Sequence, residues 1–315
     1  MTRVGAAGKA YSRYAKSSPA VRLGSNVGRV RTSPVAEFLV PEGFQGPRGL
    51  RALAREGSVV VEAARYRRRV VSDRAARRSQ PYASRGSAAV LGDPVLLVPG
   101  FLAGDYTLAG MNRHLRRLGH RTYRSGIVAN VWCIDRSTEH LERRIEQIVE
   151  RRERKVTVVG HSLGGMIARG LAARRPDLVA GIVTMGSPML APGAAHQLLI
   201  TQVALLRRLS GLGMSRLMSS DCTAGACALR MWEESRVPLP PGFPFTAIYS
   251  RRDGIADWRA CIDPAADARE VTTSHVGMAL DPIVFDVVSA SLAQVHALPL
   301  VVRRPGFDVP RSDVG

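Results

Sequence analysis

Val158-Val159-Gly160-His161-Ser162-Leu163-Gly164-Gly165 joins two kinds of pattern. The residues leading into it, Lys155 to Val159 (KVTVV), form a short apolar, β-branched run, as in a strand buried on both faces. The residues leading out, Ser162 to Arg174, suit a helix that stops before Pro176. A Gly-x-Ser-x-Gly spacing carries chemistry when strand, sharp turn and helix surround it in this order. Gly160 and Gly164 leave room where a side chain would meet the tightly turned backbone, so Ser162 is expected to project above the sheet edge. The helix that opens there directs free N–H groups and its positive dipole end toward negative charge developing near the hydroxyl.

Working outward, the same alternation of strand and helix recurs. Pro94 to Pro99 (PVLLVP), Arg121 to Val128, Val179 to Met185, Phe245 to Ser250 and Arg269 to Thr272 read as further strands. Tyr106 to Leu118, Ser137 to Arg152 and Val284 to Val295 carry apolar residues at helical intervals. Such alternation predicts an α/β protein: a mostly parallel sheet with helices on both faces. The rhythm stops between Pro188 and Pro244. Leu198 to Leu212 (LLITQVALLRRLSGL) is helical and apolar on one side, with Met214, Leu217 and Met218 following. Residues 189–243 are therefore expected to form a helical insertion, serving either as a lid or as a structural helix packed on the domain.

Charge divides the chain. The net charge is +19, and residues 1 to 90 hold 18 Lys and Arg against 5 Asp and Glu. Residues 1–88 read as a basic N-terminal extension, partly disordered, with an amphipathic helix over Leu50 to Val71 broken at Gly57. Residues 89–300 form the expected catalytic domain, and 301–315 a C-terminal tail. The extension suits an anionic membrane surface, or is a solvated tail; few aromatics interleave with its arginines, which argues against nucleic acid. The apolar runs fall short of the ~20 residues that span a bilayer, and Met1 to Ala20 has no apolar signal core, so a protein that is cytoplasmic or peripheral at a membrane is expected. Cys133, Cys222, Cys227 and Cys261 include no C-x-x-C pair, and no histidine stands at finger-like spacing, so neither metal nor cofactor is expected. Cys222 and Cys227 enclose Thr-Ala-Gly-Ala, a loop short enough for a local disulfide, although reduced, buried thiols are the default in a cytosolic setting.

A serine hydroxyl needs a base to become a nucleophile, and the base needs an orienting partner. In an open parallel sheet such groups follow the carboxyl ends of the strands. Asp253 follows the strand at 245–250 directly, and His275 comes shortly after 269–272. Asp257, Asp263 and Asp281 are rival acids, with Asp257 the main one. His161 should be turned away as a hydrogen-bonded structural residue. His196 falls in the insertion, while His114, His120, His140 and His296 read as helix-surface positions. Two N–H donors for an oxyanion are expected from Leu163 and from Phe101, with Leu102 the alternative to Phe101.

Three blocks together resemble the lipase/esterase branch of the α/β-hydrolase superfamily: VLLVPGF at 95–101, VVGHSLGG at 158–165, and IYSRRDGIADW with SHVGM at 248–258 and 274–278. The last two are similar to bacterial triacylglycerol lipases and related actinobacterial hydrolases. Pro99 departs from the pattern, since many relatives have His before the glycine. The resemblance covers residues 93 to 297. It implies a Ser162, Asp253 and His275 triad in the chain order of that fold, oxyanion donors at Phe101 and Leu163, and a hydrophobic ester substrate cleaved through an acyl-enzyme. Acyl transfer and thioester cleavage use the same triad. A reading of another class is a peripheral membrane or nucleic-acid-binding protein built on a hydrolase scaffold.

Overall fold

The structure, a computed structural model, describes residues 35–79 and 92–296, and these belong to one compact unit. Six parallel strands form the sheet: β1 (Pro94–Val98), β2 (Arg121–Arg124), β3 (Val156–His161), β4 (Val179–Met185), β5 (Phe245–Tyr249) and β6 (Asp267–Glu270). Their order is β2-β1-β3-β4-β5-β6. Every residue of β1, β3 and β4 is buried, which is why their sequences are continuous apolar runs rather than alternating ones. The register aligns Val98 with Gly160, His161 with Met185, and Met185 with Ile248. The carboxyl ends of β1, β3, β4 and β5 thus come out level, and the loops leaving them share one rim.

Nine α-helices are described: α1 (Gly49–Glu56), α2 (Val59–Ser79), α3 (Ala109–Arg117), α4 (Ile134–Arg152), α5 (Leu163–Arg174), α6 (Gln197–Gly211), α7 (Asp221–Ala224), α8 (Ala226–Glu234) and α9 (Pro282–His296). One face of the sheet is covered by α4, α5 and α8, through Leu141, Ile145, Ile167, Leu171 and Ala228. The opposite face is covered by α3 and α9, through Met111, Leu115, Phe285, Val288 and Leu292. Each such side chain contributes roughly 1.5–3 kcal/mol on leaving water, so these two layers hold the sheet.

Differences from the expected elements have local causes. β2 ends at Arg124 because Asp105 takes the N–H groups of Ser125 and Gly126 (3.0 and 2.9 Å) and turns the chain away. The helix expected from Ser137 begins three residues earlier, after Cys133, and Ser137 lies buried inside it. His114 and His120 are buried rather than on a helix surface; His114 Nε2 meets Ser289 Oγ at 3.2 Å. All four cysteines are free thiols, so Cys222 and Cys227 form no local disulfide.

The helices expected between Leu50 and Val71 form as α1 and α2, with the break at Gly57. They do not stand apart from the sheet domain. Tyr66 packs edge-on against Phe285 of α9, Arg65 pairs with Asp281 (2.7 Å), and Asp73 pairs with Arg117 of α3 (2.7 Å). The remainder of the basic extension and the C-terminal tail lie outside the described residues.

Candidate active site

Ser162 sits where β3 gives way to α5, with φ at +52° and ψ at −120°, a backbone conformation that L-residues rarely adopt. Two bonds hold the turn: Ser162 N–H donates to Met185 O (2.8 Å), and Ser162 O accepts from Gly165 N–H (3.0 Å). The glycines are sterically required. A Cβ on Gly160 would lie 2.5 Å from the Gly164 backbone, and one on Gly164 would lie 2.4 Å from Val98 O. Gly100, after β1, comes so close that an added Cβ would stand 3.1 Å from the Ser162 Cβ.

Asp253 and His275 meet, as the sequence suggested they should. His275 Nδ1 lies 2.7 Å from Asp253 Oδ2, and both residues are buried. The other oxygen, Asp253 Oδ1, accepts from the N–H groups of Ile255 and Ala256 (2.8 and 2.7 Å), so the carboxylate is fixed at both ends. Burial alone would lower the His275 pKa. The charge and hydrogen bond of Asp253, with the charge of Glu56, more than offset this and hold it above the usual value. Ser162 and His275 line one cavity, and among the described residues the Ser162 hydroxyl makes no hydrogen bond to the imidazole.

The rival acids are engaged elsewhere. Asp257 is paired with Arg259 (2.8 Å) and accepts from Gln45 N–H (3.0 Å). Asp263 faces Arg169, and Asp281 faces Arg65. His196 caps α6, its Nδ1 accepting from Leu198 N–H (3.1 Å). His161 is buried and hydrogen-bonded as a structural residue, and it packs against His275 without lining the cavity. Its ring centre is 5.0 Å from that of His275, and its Nε2 lies 3.0 Å from His275 O, so that nitrogen carries the proton and donates. Burial, helped by the neighbouring His275, pushes the His161 pKa down to about 3, so it stays neutral.

Of the candidate oxyanion donors, Leu163 opens α5, where an N–H has no carbonyl one turn back. Leu102 has a positive φ of 59° and spends its N–H on Asn130 O (3.1 Å). Phe101 is therefore the donor left at that loop. The loop is braced from beneath, because Asn130 Nδ2 donates to Pro99 O (2.9 Å).

Sequence reasoning missed the groups that hold the base. Glu56, at the end of α1, accepts from Gly254 N–H (2.8 Å) and His275 N–H (3.0 Å) through Oε1, and from Val276 N–H (3.0 Å) through Oε2. Glu62, fully buried on α2, accepts from Ser274 N–H and Ser274 Oγ, both at 2.7 Å. Two glycines make room. A Cβ on Gly254 would lie 2.2 Å from Ala52 O, and one on Gly277 would lie 1.8 Å from Glu62 Oε2. Ser250 Oγ ties the acid loop to the base loop by donating to Thr273 O (2.6 Å). The signal available in sequence was an Asp-Gly and a His-x-Gly, each with a glycine beside a proposed catalytic residue.

The cavity beside Ser162 has a volume of about 100 Å³ and is mostly apolar. Met166, Met218 and Met231 line it, with Leu199, Ile200 and Val203 of α6 and with Val35 and Leu39 from the segment before α1. No described helix is long and apolar enough to cross a membrane.

Residues 93–213 match the family described as alpha/beta hydrolase fold. A triacylglycerol lipase of Vibrio cholerae is 36% identical over 107 residues, which are 30% of this chain and 31% of that protein. The match therefore spans about a third of the length of that curated relative. Among solved structures, the mature form of the Bacillus licheniformis lipase BlEst2 aligns with a TM-score of 0.50 and 14% identity, covering 65% of this chain and 93% of that one. Its propeptide form aligns with a TM-score of 0.51 and 13% identity, covering 69% and 52%. The chain has the α/β-hydrolase fold and resembles the lipase/esterase branch of that superfamily.

Proposed function

We propose that this protein hydrolyses carboxylic esters with a hydrophobic portion, through an acyl-enzyme formed on Ser162. The observation that carries the reading is the 2.7 Å contact between Asp253 and His275, whose ring lines an apolar cavity together with Ser162. Asp253 fixes His275 with its proton on Nδ1, leaving Nε2 to take the proton from the Ser162 hydroxyl. The serine oxygen attacks the acyl carbonyl. The N–H groups of Phe101 and Leu163 receive the negative oxygen, each worth about 3 kcal/mol to the transition state. His275 then protonates the leaving alcohol, and water activated by the same imidazole releases the acid.

The apolar lining supports a hydrophobic acyl or alcohol group, and α6 at its edge supports a lid that moves on substrate entry. Val71 and Arg67, Arg68 and Arg74 of α2 are exposed, which supports contact of the basic extension with an anionic membrane surface. The test is Ser162→Ala against p-nitrophenyl esters of several chain lengths. Turnover is expected to fall by roughly 10⁴-fold or more, and a fluorophosphonate is expected to label Ser162 alone. Unchanged turnover overturns the reading. Supplying an alcohol as competing acceptor separates hydrolysis from acyl transfer, since hydrolysis predicts free acid as the main product.

A further inference from the structure

We propose that Cys133, Cys222 and Cys227 form a binding site for a thiophilic metal ion of the zinc class, placed behind one wall of the substrate cavity. The three come from separate elements: Cys133 precedes α4, Cys222 lies in α7, and Cys227 lies in α8. Their sulfurs nevertheless converge. The Cys133 and Cys227 Sγ atoms are 3.9 Å apart, and all three lie within 4.8 Å of one another. A zinc ion bound to thiolates at about 2.3 Å in a tetrahedral site holds its sulfurs about 3.8 Å apart, so small side-chain rotations suffice to close the set. A disulfide needs about 2.05 Å, uses two sulfurs, and leaves the third unexplained.

The surroundings suit thiolates as well as thiols. The start of α4, a helix of 19 residues, faces the sulfurs with its free backbone N–H groups. The backbone N–H groups of Asp135 and Arg136 are directed at the Cys133 sulfur, and that of Ile134 at the Cys222 sulfur. Backbone N–H groups directed at sulfur are the usual support of thiolate ligands. Cys222 and Cys227 are buried and Cys133 is half-buried, so the cluster is shielded from bulk solvent.

The position gives the ion something to hold. Cys133 N–H donates to Arg216 O (3.1 Å), and Met218 N–H donates to Val131 O (2.9 Å), where the chain returns from α6 to the body. Cys222 itself lines the cavity. A bound ion would pin that return to α4 and fix the cavity wall. Binding displaces the three thiol protons, with no change of oxidation state.

The site makes no use of Ser162, Asp253 or His275 and is tested apart from them. The full chain, purified under reducing conditions, is titrated with Co²⁺ and followed by absorbance, and its zinc content is measured after exposure to Zn²⁺ alone. One equivalent is expected, with a thiolate-to-cobalt charge-transfer band. Cys133→Ser, Cys222→Ser and Cys227→Ser are each expected to weaken binding by roughly 100-fold or more. Cys261→Ser, whose thiol is buried beside Asp257 instead, is expected to leave it unchanged. A reduced full chain that gives no charge-transfer band and takes up no zinc overturns the proposal, whatever the variants do. So does a band that depends on Cys261, or a chain found two hydrogens lighter whose metal uptake stays absent after reduction.

Discussion

The two sides of the cleft around Ser162 are built to opposite specifications. On one side, the loops bearing Asp253 and His275 are buried and tied by carboxylates from α1 and α2, which take their backbone N–H groups at 2.7 to 3.0 Å. On the other side, α6 has no buried residue at all, and Leu205 and Leu212 stand 55% and 82% exposed. On the proposed mechanism the chemistry sits on the rigid side, where a misplacement of a base by a fraction of an ångström is costly. Binding of an apolar group falls to the looser side, where adaptation is an advantage. The difference also explains why α1 and α2 are part of the folded unit: Glu56 and Glu62 hold the base loop, while Arg65 and Tyr66 tie α2 to α9 and the turn before it.

If the rigid side carries the catalysis, the largest effect belongs to Asp253. Asp253→Asn is expected to lower kcat by roughly 10⁴-fold without unfolding the protein, because the amide no longer holds the imidazole with its proton on Nδ1. Asp257→Asn, which touches only Arg259 and Gln45, is expected to leave kcat within a few-fold. Steady-state kinetics on both decide the assignment, and equal losses would break it.

The next effects lie with the two glutamates. Glu62 is fully buried and accepts from both Ser274 N–H and Ser274 Oγ. Glu62→Gln turns one of these acceptors into a donor facing a donor, and is expected to lower unfolding stability by about 2 kcal/mol in a urea titration. Glu56→Gln should act more on chemistry. The charged or titratable groups facing His275 are Asp253, Glu56 and His161, the last of them neutral. A base must be unprotonated, so kcat/KM rises with pH through the His275 pKa, which these carboxylates hold above its usual value. Removing the Glu56 charge destabilises the imidazolium, so the rising limb is expected to move to lower pH, with kcat down by roughly 10-fold from looser positioning. A merely structural Glu56 would reduce the plateau and leave the limb in place.

What could be read from the sequence follows the same division. β1, β3 and β4 are legible because strands buried on both faces must be continuously apolar. Ser162, Asp253 and His275 are legible because parallel topology sends the loops after successive strands to one rim. Glu56 and Glu62 are not, because their partners lie 198 to 220 residues away and a glutamate on a basic helix looks like a solvated charge. The convergence of Cys133 on Cys227, 94 residues later, is equally hidden, since no spacing rule joins a helix start to an inserted helix. His161 is legible as a buried hydrogen-bonded residue, but its partner is not: the turn that projects Ser162 determines where the serine goes, while the neighbouring ring is placed by a carbonyl from another loop.

The smallest effects are expected on the looser side, and they are the sharpest test of it. Ile200 lines the cavity from α6 while remaining partly exposed. Ile200→Ala removes apolar contact available only to a long substrate chain. At about 0.8 kcal/mol per buried CH₂, partial burial predicts a loss of roughly 3- to 10-fold in kcat/KM for long acyl esters. Acetate esters, which do not reach the helix, should be turned over at the original rate. A loss shared equally by short and long esters would mean that α6 supports the catalytic residues after all. The contrast between a fixed rim and an adaptable cover would then fail at the element that defines it.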